Sequence, residues 1–252
     1  MKTIKPKKNI GEIINHEVIS IIANLIRFSF YNESATRSSN RTDEIHNKLK
    51  QMAENIFYIS DINKSNIEII IDSKKSSTTI PSTGNKNKKF SVDMLVKKNG
   101  INKIAVAVKA PISSINKNYN NMINNEDGEL LRVFKHKQNI KDNLTFIQIN
   151  FMPLSAPVFD KNKKITSFEK TNIERPEMDE DYSDECFGLY SKLKNVINIY
   201  YEVSPKVYDK EKVKNIKDIY LEAEKLTNAE LINCKNANDL SFLYEKIEEL
   251  ID

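Results

Sequence analysis

Apolar and polar residues change period along this chain, and each period predicts an element. From residue 13 to 30, Ile14, Val18, Ile21, Leu25 and Phe28 recur at helical spacing, while Asn15, His16, Glu17, Asn24 and Arg27 interrupt the run. An amphipathic helix is expected there rather than a signal peptide or a membrane span. Thr42 is placed to cap a second helix, whose Ile45, Leu49, Met52 and Ile56 form one stripe. Residues 66–72, with Ile67, Ile69, Ile70 and Ile71, read as a buried strand. Two alternating runs then flank Asn99-Gly100, the strongest short-range signal for a hairpin.

Alternation within that hairpin decides which side chains meet. On the first strand Phe90, Val92, Met94 and Val96 share a face, leaving Ser91, Asp93, Leu95 and Lys97 on the other. On the second, Ile104, Val106 and Val108 oppose Ala105, Ala107 and Lys109. Burying both apolar faces on one core puts Asp93, Ala107 and Lys109 on the same side. A two-residue turn would pair Asp93 with Val106 and break this pattern, because a one-residue slip sends every side chain to the opposite face. A three-residue connection, or a bulge at Gly100, is therefore expected, with Asp93 opposite Ala107.

Downstream, Pro111 ends the strand, and residues 126–136 predict a crossover helix through Leu130, Leu131, Val133 and Phe134. Residues 144–151 (Leu144, Phe146, Ile147, Ile149, Phe151) form a further apolar strand, stopped by Pro153 and expected to run parallel to the one carrying Lys109. The acidic run at 177–185 reads as a solvated loop at a boundary rather than a metal site, since nothing fixes its geometry. Beyond it, 196–203 alternates like a strand. Val213, Ile216, Tyr220 and Ala223, and then Leu240, Leu243, Tyr244, Ile247 and Leu250, form helical stripes suited to core packing or a dimer face. The expected fold is α/β, a mixed central sheet flanked by helices, with additional helices at both ends. Residues 1–160 would form the helices and core, and 161–252 an extension packed on that core or forming a dimerisation or DNA-contacting subdomain.

Composition narrows the class only modestly. A chain of 252 residues can bury one sizeable core. Two cysteines, Cys186 and Cys234, without paired spacing point to a reducing compartment, and a cytoplasmic location is expected. The net charge of +4 permits polyanion binding. His16, His46 and His136 are scattered and receive no role.

An acid on one hairpin strand and acid-any-lysine on the next is the pattern of the PD-(D/E)XK nuclease superfamily, which this chain resembles over residues 40–152. Asp93 matches the first acid and Lys109 the lysine; Ala107 stands where the family has Glu or Asp, and Val92 replaces the preceding proline. The resemblance implies an αβββαβ core of the restriction-endonuclease kind. It also implies Mg²⁺-dependent cleavage of double-stranded DNA by a type II enzyme, working as a homodimer on a short palindromic site. Asp93 and the residue at 107 would be the catalytic metal ligands, and Lys109 would orient the attacking water. Three readings of Ala107 are open: an alanine substituted for a native glutamate, an acid supplied instead from Glu54, Glu68 or Glu129, or a natural relative that does not cleave. A sequence-specific DNA-binding protein without hydrolytic activity is the alternative function, and structure-selective nucleases of the same fold are a further one.

Two loops beside the hairpin carry side chains suited to phosphates and base edges. The first includes Lys86, Lys88 and Lys89. The second, emerging from the strand of Lys109, includes Ser113, Ser114, Asn116, Lys117, Asn118 and Tyr119. Both are expected to contact DNA.

Overall fold

The computed structural model describes residues 10–30, 40–57, 59–73, 78–84, 88–112, 115–116, 128–160, 165–171, 195–202 and 240–251. Helices α1 (Ile10–Phe30), α2 (Asn40–Ile56) and α3 (Ile59–Lys64) come first. Strands β1 (Ile67–Ile71), β2 (Thr79–Pro81), β3 (Lys89–Ser91), β4 (Met94–Lys98) and β5 (Ile101–Lys109) follow. Helix α4 (128–134) and the short α5 (Lys137–Lys141) lead to β6 (Thr145–Pro153). The last described elements are β7 (Ser155–Phe159), β8 (Ile165–Lys170), β9 (Asn195–Tyr201) and α6 (Ser241–Ile251).

Five strands form one mixed sheet in the order β1-β4-β5-β6-β9. β4 runs antiparallel to β1 and β5, whereas β5, β6 and β9 are mutually parallel neighbours. The parallel pairing of β5 with β6 follows from the intervening helix, since parallel neighbours need a crossover connection. β2–β3 and β7–β8 are separate antiparallel ribbons.

Both faces of β5 are buried, which accounts for its unbroken apolar run. Ile104, Val106 and Val108 meet a core built from Ile14, Val18, Ile21 and Leu25 of α1, Ile45, Leu49 and Met52 of α2, and Leu243, Tyr244 and Ile247 of α6. Ala105 and Ala107 turn the other way, onto Ile80, Val92, Leu95, Phe146 and the α4 residues Leu130 and Val133. Each fully buried aliphatic side chain contributes about 1.5–3 kcal/mol, so the two helix layers hold the sheet from both sides. The stretch 161–252 contributes β9 to the sheet and α6 to the first layer, where the Tyr244 hydroxyl donates to the Leu49 carbonyl at 3.2 Å.

Several expectations are corrected. The hairpin connection is two residues long, with Asn99 at φ 53° and Gly100 at φ 76°, the left-handed pair that such a turn requires. Register is restored by a bulge elsewhere: Lys97 pairs with Asn102 and Val96 with Ile104, leaving Lys103 without a cross-strand partner on β4. From there Met94 pairs with Val106, where the ladder ends. Asp93 lies beyond it, with its N–H on the Val106 carbonyl and its side chain turned to α2, so, contrary to expectation, it does not share the face of Ala107 and Lys109. Residues 91–96 are not one strand. β3 ends at Ser91 and β4 starts at Met94, and Val92 packs with Leu95 and Ala107 instead of with Met94 and Val96. α2 begins at Asn40, ahead of Thr42. β1 is an edge strand, with Ile67 its buried residue. The helix expected over 126–136 stops at 134, and His136 caps α5 by accepting from the Gln138 amide at 3.2 Å. The acidic run, Cys186, Cys234 and the stripe at 213–223 lie outside the described residues. Among the described residues no helix is long and apolar enough to cross a membrane.

Candidate functional site

Asp93 sits where β4 leaves the sheet, and its carboxylate replaces the backbone partner that β5 loses there. Its backbone N–H donates to the Val106 carbonyl at 2.8 Å, and its Oδ2 accepts from the Val108 N–H at 2.6 Å. The other oxygen, Oδ1, lies 3.2 Å from Nε2 of His46 on α2. Nδ1 of the same ring lies 3.4 Å from the Asp72 carbonyl, and Asp72 in turn donates its N–H to the Asp93 carbonyl at 2.8 Å. With an acceptor at each nitrogen, the imidazolium satisfies both contacts and a neutral ring only one. Burial of His46 acts to lower its pKa, but the hydrogen bond and charge of Asp93, the Asp72 carbonyl and the charge of Asp43 outweigh it, leaving the pKa raised above the ordinary histidine value.

Lys109, at the last position of β5, takes a different partner. Its Nζ lies 3.0 Å from Oε1 of Glu129 on α4, with Glu129 the more enclosed of the two. Glu129 Oε2 is buried without a hydrogen-bond partner among the described residues. The other two candidate acids do not accompany Lys109: Glu54 lies 3.8 Å from Lys50, and Glu68 is exposed on β1 opposite Lys97. Parallel pairing sets Gln148 beside Ala107 and Asn150 beside Lys109. Both are 3% exposed, so a polar belt of Lys109, Glu129, Gln148 and Asn150 borders the apolar patch around Ala107.

The register thus brings Asp93, Ala107 and Lys109 to one end of β5, but the charged groups divide between layers. Asp93 reaches α2 through His46, and Lys109 reaches α4 through Glu129. His46, Gln148 and Asn150 were missed from sequence. Gln148 and Asn150 do leave a trace there, two polar residues at alternate positions of an apolar strand, and His46 lies three residues before Leu49 on the buried stripe of α2.

Of the expected DNA-contacting residues, Lys88 and Lys89 are exposed at the start of β3. The Asn116 amide donates to the Lys170 carbonyl at 2.8 Å, which ties it to β8. Lys86, Ser113, Ser114, Lys117, Asn118 and Tyr119 lie outside the described residues.

The donors do not add up to a Mg²⁺ site while residue 107 is alanine. Both Asp93 oxygens are engaged, Ala107 offers none, and among the described residues no three His, Cys, Asp or Glu side chains converge on one point. Glu129 Oε2 is a buried acceptor on the other layer. No family model matches this chain, no curated protein matches it, and no solved structure matches it.

Proposed function

We propose that this chain is a restriction-endonuclease-like protein that binds double-stranded DNA at a specific site, and that Ala107 disables its hydrolytic step. One observation carries the reading. The Asp93 carboxylate bonds the backbone of residue 108 at 2.6 Å, one position from Lys109, at the carboxyl end of a strand whose next neighbour is parallel. In open sheets that end is where ligands bind. A carboxylate and a lysine at that end, held in different layers of the fold, are groups that phosphodiester hydrolysis uses for charge stabilisation and for orienting water. The order helix, β1, β4, β5, helix, β6 and the net charge of +4 add support.

Lys109 is the residue assigned to the phosphate, with Glu129 fixing its ammonium. Mg²⁺ enters this reading only when a carboxylate stands at 107, because one or two carboxylates plus the substrate phosphate usually hold that ion. A homodimer matches a palindromic duplex site by symmetry. The engagement of both Asp93 oxygens favours a second reading, a DNA-binding module of the same fold that does not cleave.

The deciding experiment compares the chain with Ala107→Glu on plasmid DNA in Mg²⁺. Discrete fragments from the variant alone are expected. Tight duplex binding with no fragments from either protein would establish the binding module, and the lack of any salt-sensitive DNA affinity would overturn both readings.

A further inference from the structure

We propose that Gln148 is a positioning residue whose buried amide holds a carboxylate at position 107, a partner that Ala107 withholds. The inference rests on the nuclease reading above and deepens it.

Ala107 and Gln148 are Cα partners in the parallel β5–β6 ladder, and partners in such a ladder project to the same face. That face is identified independently by Ala105, Ala107 and Phe146, which all pack against Leu130 and Val133 of α4. Neighbouring strands lie about 4.8 Å apart, so glutamate and glutamine side chains on adjacent positions meet without backbone movement. Gln148 is 3% exposed and its Nε2 has no hydrogen-bond partner among the described residues. An amide removed from water without an acceptor opposes folding, and native chains rarely keep one without a use. The apolar residues clustered with Ala107, among them Leu95, Ala105, Leu130 and Phe146, offer no side-chain acceptor. A glutamate at 107 would supply one, leaving its second oxygen toward Lys109, two residues along the same face of β5. Gln148 would then do for this carboxylate what the Val108 N–H does for Asp93.

A double-mutant cycle in urea tests this with Ala107→Glu and Gln148→Met, alone and together. With the acid present, Gln148→Met is expected to lower the folding equilibrium constant by about tenfold, the loss of a hydrogen bond to a charged group. In the chain as it stands the same change should not lower that constant, because Nε2 has no partner there among the described residues and its removal relieves a buried unpaired donor. Equal losses in both backgrounds would mean that Gln148 serves the core alone and would overturn the inference. Failure of Ala107→Glu to fold with Gln148 intact would overturn it as well, since the position would then not accept an acid. The cleavage assay reads the parent proposal separately: coupling without cleavage leaves Gln148 standing and removes the nuclease, and cleavage without coupling does the reverse.

Discussion

At position 93 one carboxylate ends a strand and anchors a helix. Truncating it leaves the Val108 N–H and the His46 ring without their acceptor, so Asp93→Ala should cost about 2–3 kcal/mol, read as a shift in the urea midpoint. His46 makes part of that stability depend on pH. Its folded pKa is raised, so its contribution is fully present below the unfolded value of about 6.5 and is lost as pH rises through the higher folded value. Stability should therefore decline from about pH 6 upward, and His46→Gln should flatten the decline. A slope that is unchanged in that variant would remove His46 as its source. From sequence His46 was one of three scattered histidines, because the acceptor at each ring nitrogen comes from the far side of a sheet edge.

Among the elements, the β4–β5 hairpin sets the relation of Asp93 to Lys109. A Cβ on Gly100 would meet nothing within 4 Å, so Gly100→Ala should be destabilising only through its positive φ, by about 1 kcal/mol. Lys103 is the residue that sets the offset. Deleting it removes only the position without a partner on β4 and leaves Val96 opposite Ile104 and Met94 opposite Val106, so the apolar faces of the two strands still agree. Cooperative unfolding is expected to survive that deletion, measured by circular dichroism. The need for an offset was visible in the sequence, since apolar faces must agree across the strands. Its position was not, because Asn99-Gly100 makes a favourable two-residue turn and the correction can then fall at any later residue.

For the whole molecule, the proposed binding of DNA through lysines would release counterions. Affinity for duplex DNA should fall with a log–log salt slope of about 0.9 per phosphate contacted, and Lys88→Ala should make the slope shallower by about one contact. Fluorescence anisotropy across a salt series reads both. A salt-independent affinity would exclude the phosphate backbone as the partner. The same layered arrangement ranks the three candidate acids: Glu129 faces Lys109 across the α4 layer, whereas Glu54 and Glu68 belong to other surfaces.

Sequence alone determined the features that period and turn chemistry dictate. It specified the apolar stripes of α1, α2 and α6, the strands β4, β5, β6 and β9, and the hairpin between the first two. These are local consequences of side-chain spacing, and they hold wherever the chain folds. Tertiary structure decided the contacts between residues distant in the chain. It sent the Asp93 carboxylate to His46 and the Lys109 ammonium to Glu129, set Gln148 beside Ala107, and split the run at 91–96 between two sheets. Those pairings depend on which layer each helix covers, and a hydrophobic pattern states that a face is buried without stating what buries it.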